Sequence, residues 1–296
     1  MIGWLHAGSA RENADTIAAF REGMAAWGWR EGAQFVIEER WAEGRMDQIQ
    51  SLAEELAAKK PAVLVATATM VVAPLAKVAP QVPIVQATGG DLVAWGLAAS
   101  LGRPGGMVTG LTNINVEILG KSVQLLMEIV PKTQRVGVLT DPAWGTGRGL
   151  DAVQHALARY SLKPLVANIK RPDDIEPAVA SLIKDGAQAL ILPANPWLST
   201  QRDHILRLAL AQRWPVVGPN RTFAEAGALI SYGTNRVALY RRAAFYVDRI
   251  LKGTKPGDLP IEQPMIFELV INMKTAKALG ITIPPTVMVQ ATRVIQ

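Results

Sequence analysis

The chain has 296 residues, of which 49% are hydrophobic, and a formal net charge of +6. This length predicts about two domains, and no apolar run reaches the ~20 residues that a membrane-spanning helix needs. Cysteine is absent, which excludes disulfides, thiolate metal sites and cysteine nucleophiles.

Short apolar runs alternate with amphipathic stretches along most of the chain. The first series has strands at Ile2–Leu5, Gln34–Glu39, Val63–Ala66 and Pro83–Gln86, and helices at Asn13–Trp29, Asp47–Lys59 and Met70–Ala79. After a glycine-rich break, the second has strands at Arg135–Leu139, Pro164–Ile169, Ala189–Leu192 and Pro215–Val217, and helices at Val116–Ile129, Leu150–Tyr160, Asp174–Asp185 and Thr200–Arg213. This alternation predicts an α/β fold of two Rossmann-like lobes, each with a parallel sheet and helices on both faces.

The remaining section is too short for a third domain. It has strands at Leu229–Ser231 and Phe267–Ile271, a long helix at Arg236–Lys252 and a short helix at Lys274–Leu279. We therefore expect the chain to return to the first lobe and then to the second, giving a hinge of three crossings that permits opening and closing. The predicted lobes are residues 1–112 with 229–258, and residues 113–228 with 259–296.

The long helix carries a dense basic run, which we interpret as a solvated helix face. The run comprises Arg236, Arg241, Arg242, Arg249, Lys252 and Lys255. No recognisable nucleic-acid-reading module accompanies it. We therefore expect no nucleic-acid partner.

Candidate ligand-binding residues follow from the rule that ligands of open parallel sheets bind beyond the carboxyl ends of the strands. Hydroxyls and free N–H groups at a helix start favour a carboxylate, although the same residues also cap helices. An aspartate can pair with an ammonium group but more often bonds its own turn, and tryptophan rings can cover an apolar or cationic group. The candidates are Ser9, Thr67, Thr69, Gln86, Asp91, Asp141, Trp144, Asn195, Trp197, Asn220 and Tyr232.

No catalytic or metal-binding constellation emerges from the sequence. Gly145–Gly149 resembles a dinucleotide-binding loop, but Leu150 stands where the third glycine is required. The three histidines, His6, His155 and His204, are isolated along the chain. We expect no enzyme activity, no metal and no cofactor.

Several segments of the sequence, in the same order along the chain, resemble those of a known family. These segments are Gly96–Leu111, Ile250–Pro264, Phe267–Asn272, Lys274–Gly280 and Ile283–Pro285. They resemble the ABC transporter substrate-binding family whose better-known members bind tryptophan, tyrosine or phenylalanine. The chain departs from the family where Leu92 follows Asp91 in place of a common proline, and where Met107 replaces a frequent asparagine.

The resemblance implies a type I periplasmic-binding-protein fold and an ABC permease with its ATPase as partners. It also implies a periplasmic or other extracytoplasmic location. The expected secretory or lipoprotein leader is missing from this sequence, and a lipoprotein leader would imply a lipid anchor. The expected role is solute binding for an importer, with an amino acid or related small carboxylate held between the lobes. Two alternatives stay open at this point: the effector-binding domain of a transcription regulator and a Rossmann-like nucleotide-dependent enzyme.

Overall fold

The chain divides into two compact units. The computed structural model describes residues 1–113, 115–141 and 148–296. The first unit is Met1–Ile114 with Asn235–Ile266, and the second is Asn115–Thr234 with Phe267–Gln296. The chain therefore passes from one unit to the other three times, at boundaries that lie two, six and eight residues beyond the predicted ones.

The first unit contains a five-stranded parallel sheet in the order β2-β1-β3-β4-β5. Its strands are β1 (Ile2–His6), β2 (Ile37–Trp41), β3 (Val63–Ala66), β4 (Ile84–Gln86) and β5 (Val108–Gly110), and its helices are α1 (Ala14–Ala26), α2 (Ile49–Ala58), α3 (Thr69–Val78) and α10 (Arg236–Leu251). The sequence predicted all of these elements except β5.

Strand β3 shows how this sheet builds a core on each face. Val63 and Val65 belong to one apolar cluster and Leu64 and Ala66 to another, because successive side chains of a strand point to opposite faces. All four residues are fully buried. A run that is apolar at every position is typical of a parallel strand covered on both sides.

Helices α1 and α10 pack together closely on one face of this sheet. A Cβ atom added at Gly23 would lie 2.6 Å from the carbonyl oxygen of Arg241, so only glycine permits this approach. Beyond the contact, the indole N–H of Trp29 donates to the Asp248 carboxylate at 2.9 Å. These contacts hold the long helix on the first unit.

The segment after α10 lies along β5 and explains one boundary difference. The backbone N–H of Glu262 donates to the carbonyl of Gly110 at 2.9 Å, and its own carbonyl accepts from Thr112. The Glu262 carboxylate also receives two hydrogen bonds from Arg242 on α10. Residues 259–266 therefore belong to the first unit, whereas the sequence assigned them to the second.

The second unit contains a seven-stranded sheet in the order β12-β11-β10-β9-β8-β6-β7. Its strands are β6 (Arg135–Thr140), β7 (Lys163–Asn168), β8 (Ala189–Ile191), β9 (Val216–Gly218), β10 (Ile230–Thr234), β11 (Phe267–Asn272) and β12 (Arg293–Ile295). Its helices are α4 (Asn115–Ile129), α5 (Arg148–Ala158), α6 (Ile175–Lys184), α7 (Pro196–Thr200), α8 (Arg202–Ala211), α9 (Arg221–Glu225), α11 (Met273–Leu279) and α12 (Pro285–Met288). Strands β10 and β11 pair antiparallel, which the expectation of purely parallel sheets did not include.

Strand β10 explains the other boundary difference. It pairs with β9 on one side and β11 on the other, so residues 229–234 belong to the second unit and not to the first. Alternation again separates two cores, with Ala189 and Ile191 of β8 in one cluster and Leu190 in the other. Within the described ranges, no helix is both long and apolar enough to cross a membrane.

Candidate functional site

The carboxyl end of β1 leads into a tight polar loop in the first unit. The imidazole Nδ1 of His6 accepts a hydrogen bond from the backbone N–H of Gly8 at 2.8 Å. Ser9 is half-buried, and its hydroxyl oxygen accepts from the backbone of Glu12 at 3.3 Å. The Ser9 hydroxyl therefore retains its own hydrogen for donation to another group.

The carboxyl end of β3 places Thr67 and the first turn of α3 beside this loop. The hydroxyl oxygen of Thr67 accepts from the backbone N–H of Ala7 at 3.4 Å. The residue before α3 is Ala68, which makes no side-chain capping bond. Since the first N–H groups of an α-helix have no acceptor within the helix, they are available to an anion.

Thr69 and Gln86 form an internal clamp below this edge. The Thr69 hydroxyl donates to the Gln86 side-chain oxygen at 2.9 Å and accepts from the backbone of Gly90 at 2.8 Å. The Gln86 amide nitrogen donates to the carbonyls of Gly90 and Leu111, and Gln86 is fully buried. These bonds use the side chains of both predicted ligand residues to shape the loop.

Asp91 caps a turn on the surface of the first unit. One carboxylate oxygen accepts from the backbone N–H groups of Val93 at 2.9 Å and Ala94 at 3.1 Å. The side chain is exposed. This is the local bonding that an aspartate at a turn commonly makes.

A polar cluster at the carboxyl ends of β1 and β3 joins residues that the sequence did not bring together. We call Ser9, Asn13, Thr67, Arg236, Tyr240 and His6 the carboxyl-edge cluster. The guanidinium of Arg236 donates to the Asn13 side-chain oxygen at 2.5 Å, while the Asn13 amide nitrogen donates to the Ser9 carbonyl at 2.8 Å. The Tyr240 hydroxyl lies 3.4 Å from Nε2 of His6.

Burial sets the protonation of this cluster. Burial, followed by the charge of Arg236, holds the pKa of His6 well below its ordinary value, so the imidazole is neutral at pH 7. Burial also raises the pKa of Tyr240 and keeps the phenol protonated. Arg236 therefore supplies the cluster's positive charge.

Arg236 and Tyr240 were missed for an identifiable reason. The sequence assigned Arg236 to a solvated helix face, but the structure shows it half-buried at the first position of α10. The two residues are four apart and share one helix face. That spacing, combined with the predicted return of the chain to the first lobe before α10, was the available signal.

In the second unit, Asn195 follows β8 and caps α7. Its side-chain oxygen accepts from the backbone N–H groups of Trp197 at 2.8 Å and Leu198 at 3.1 Å. Its amide nitrogen is buried and has no hydrogen-bond partner among the described residues. Trp197 is half-buried and packs against the apolar cluster on one face of the sheet.

The other predicted residues of the second unit have different environments. Asn220 caps α9 by accepting from the backbone and the hydroxyl of Thr222. Asp141 is half-buried and directly follows β6, whereas Tyr232 lies within β10 and stacks on Phe267 with ring centroids 6.0 Å apart. Trp144 and most of the glycine-rich loop after it lie outside the described residues.

Metal-binding side chains do not gather in the described part of the chain. No group of three or more histidine, cysteine, aspartate or glutamate residues there has a geometry that would hold a metal ion. The carboxyl-edge cluster instead presents hydroxyl, amide and guanidinium donors, which suit an oxygen-rich anionic group.

Comparison with known proteins identifies the family. The sequence profile of the ABC transporter substrate binding proteins matches residues 10–295. The chain belongs to this family. That membership does not support the alternatives of a regulator's effector domain or a nucleotide-dependent enzyme.

Similar proteins agree with this assignment. A tyrosine-binding protein of Clostridioides difficile is 22% identical over 85% of this chain and 72% of its own length. The ABC domain of Streptococcus pneumoniae in complex with L-Trp has a TM-score of 0.92 at 23% identity, covering 99% of both chains. A conserved domain protein of Vibrio cholerae has a TM-score of 0.93 at 26% identity over 99% of this chain and 98% of its own. The fold is that of the type I periplasmic binding proteins.

Proposed function

We propose that this chain binds an amino acid, with aromatic amino acids the first candidates, as the solute-binding component of an ABC importer. The family is one of substrate-binding proteins. One similar protein is a tyrosine-binding protein, and the structure of another is a complex with L-Trp. The ligand class thus rests on relatives, and the chain's own residues must supply matching chemistry.

The observation that carries the proposal is the set of groups at the carboxyl end of the first unit's sheet. Ser9 and Thr67 contribute hydroxyl groups, each of which accepts one backbone N–H, and the first turn of α3 offers backbone N–H groups. Three residues beyond β5, the side-chain oxygen of Asn113 is buried without a partner among the described residues. Donors for a carboxylate and an acceptor for an ammonium group are therefore present at one sheet edge, as a zwitterionic amino acid requires.

The second unit supplies its own strand-end groups to the proposal. The unpaired amide nitrogen of Asn195 is a donor, because its side-chain oxygen already accepts two backbone bonds. We propose that Asp141, Trp144, Trp197, Asn220 and Tyr232 also face the ligand. In this proposal Thr69, Gln86 and Asp91 act mainly by shaping the loops that contact it.

Isothermal titration calorimetry tests the ligand class. The protein is unfolded, dialysed and refolded to remove any bound ligand, and then titrated with each of the twenty amino acids and with indole-3-acetate and 4-hydroxyphenylacetate. We expect saturable heats with at least one of L-tryptophan, L-tyrosine and L-phenylalanine. No heat from any amino acid would refute the amino-acid assignment.

A pair of isosteric variants tests the hydroxyl at the site. Thr67→Val removes the hydroxyl and is expected to weaken amino-acid binding about fivefold or more, in proportion to one lost hydrogen bond. Thr254→Val is the matched control, since Thr254 lies in the half-buried turn after α10 and makes no side-chain hydrogen bond among the described residues. Equal affinities for both variants would remove Thr67 from the site.

The importer role, with its permease and ATPase, and the periplasmic location, with a leader or lipid anchor, are part of the same proposal. Deleting the gene should reduce uptake of the identified amino acid by the source cells, and restoring it should recover uptake. Mass spectrometry of the native protein's N-terminus would identify a cleaved leader or an attached lipid. Unchanged uptake after deletion would refute the importer role.

We also propose that the protein binds without catalysing a reaction. Prolonged incubation should return the ligand unchanged, as judged by its proton NMR spectrum. Any turnover would refute this part of the proposal.

A further inference from the structure

Arg236 differs from the other basic residues of α10 in what it contacts. Arg241 pairs with Glu22, Arg242 with Glu262 and Lys252 with Asp248. Among the described ranges of the chain, no ion pair includes Arg236. A half-buried guanidinium with only uncharged partners keeps most of its capacity to bind an anion.

The partners of Arg236 are neutral and hold it at the carboxyl ends of β1 and β3. Its Nη2 atom donates to the side-chain oxygen of Asn13, whose amide is in turn fixed by the carbonyl of Ser9. Its guanidinium carbon lies 6.0 Å from the ring centroid of Tyr240. Asn13 and Tyr240 are therefore positioning residues for the guanidinium.

The buried groups around Arg236 do not neutralise it. His6 stays uncharged because burial and the charge of Arg236 lower its pKa, and the buried phenol of Tyr240 stays protonated. Asp15 on the first turn of α1 is close enough to raise the pKa of Tyr240. No carboxylate in the described part of the chain forms an ion pair with Arg236, so its positive charge is available to a ligand.

We propose that Arg236 binds the carboxylate of the ligand. A planar guanidinium matches a carboxylate with two parallel hydrogen bonds, which gives both strength and a fixed orientation. The hydroxyls of Ser9 and Thr67, in the same cluster, complete the donor set around the two carboxylate oxygens. This inference rests on the proposed function and names the side chain that selects for an acidic group.

Three variants and two ligands separate this role from general effects of charge. Arg236→Gln removes the charge, Arg236→Lys keeps the charge but not the planar fork, and Arg241→Gln is the control on the same helix. Each is titrated calorimetrically with L-tryptophan, or with whichever aromatic amino acid binds the wild-type protein, and with the corresponding amine that lacks only the carboxylate. Thermal unfolding verifies that all the variants are folded.

We expect Arg236→Gln to weaken amino-acid binding by at least about tenfold, as for a lost charge-assisted hydrogen bond, and Arg236→Lys to have an intermediate effect. Arg241→Gln should bind as the wild type does. For the decarboxylated amine, the wild type and Arg236→Gln should bind equally weakly. A crystal structure of the wild-type complex should place a carboxylate oxygen within about 3.2 Å of the guanidinium nitrogens.

Two results would overturn the inference alone: wild-type affinity in Arg236→Gln, or a carboxylate bound elsewhere in the crystal structure. If the wild-type protein bound no amino acid at all, the proposed function would be refuted, and the assignment of Arg236 would fall with it. The wild-type titration therefore distinguishes the two failures.

Discussion

Replacing Gln86 by glutamate tests the clamp that shapes the loop after β4. The Gln86 amide nitrogen donates to two carbonyl oxygens, those of Gly90 at 3.0 Å and Leu111 at 2.8 Å. An ionised glutamate has the same shape but no hydrogen to donate, so two carbonyls would face a buried negative charge. A protonated glutamate can still donate to one of them.

The magnitude follows from the buried position of Gln86. At low pH the variant loses one hydrogen bond and leaves one carbonyl unpaired, which costs about 1–3 kcal/mol of the free energy of unfolding. Burial raises the pKa of a carboxyl group, and a rise of two to three units corresponds to about 3–4 kcal/mol more. Since the folded state then holds its proton at a higher pH than the unfolded state does, stability falls as pH rises from about 4.3 to the raised pKa.

Urea unfolding of the ligand-free protein at about pH 4.5 and pH 8, followed by circular dichroism, measures this effect. Gln34→Glu is the control, because the Gln34 side-chain oxygen accepts from the backbone of Arg30 on the surface and a carboxylate can do the same. We expect the midpoint of Gln86→Glu to be lower than that of the control, by much more at pH 8 than at pH 4.5. Equal midpoints for the two variants at both pH values would contradict the clamp.

Three further outcomes are expected. Gly110→Ala should destabilise the protein by several kcal/mol in urea unfolding, because Gly110 has φ +129° and an added Cβ would lie 2.2 Å from the Gln86 carbonyl oxygen. Gly120→Ala, on the open face of α4, should instead stabilise the protein by about 0.5–1 kcal/mol. A Gly110→Ala protein more stable than the Gly120→Ala protein would contradict the structure. Glu262→Gln should lower the free energy of unfolding by less than about 1 kcal/mol at pH 7, because the ion pair of Glu262 with Arg242 is partly exposed. The bond to Arg242 lowers the pKa of Glu262, so this difference in stability from the wild type should vanish as pH falls through the lowered pKa. The imidazole of His6 should show no protonation in NMR spectra between pH 7 and pH 6, because burial lowers its pKa. Below about pH 6.5 only the unfolded state binds this proton, so His6→Gln should reduce the loss of stability on acidification.

Local sequence patterns predicted the strands that are apolar throughout and bounded by clear breaks. The run Val63–Ala66 was predicted with its exact bounds because it is apolar throughout and is bounded by Pro61 and by the start of α3. Strand β5 was missed because Val108–Gly110 is short and lies in a glycine-rich segment. Its conformation depends on pairing with β4 and on the distant segment around Glu262, which periodicity does not reveal.

The short helices α7 and α9 were missed although their start signals were present. Asn195 before Pro196 is a typical N-cap followed by proline at the first helical position. Asn220 is likewise the N-cap of α9, although Arg221 follows it. The sequence analysis interpreted both asparagines as ligand groups. An asparagine at the end of a strand has the same neighbouring sequence whether it caps a helix or binds a ligand. Only the structure, which shows the side-chain atoms that lack a hydrogen-bond partner, distinguishes a capping role from a ligand-binding role.

This distinction shows which candidates can contribute most to ligand selection. A side chain whose hydrogen-bonding atoms are all used within the fold, as in Gln86, makes a loop rigid but adds no new bond to a ligand. Asn195 combines both properties, because its oxygen fixes the helix start and its buried nitrogen stays unpaired. Arg236 does the same with a charge, since Asn13 fixes its orientation and no carboxylate of the described chain uses it. Groups that are fixed before binding lose little conformational freedom when the ligand arrives, so affinity and selectivity should concentrate at these residues and not at the fully bonded ones.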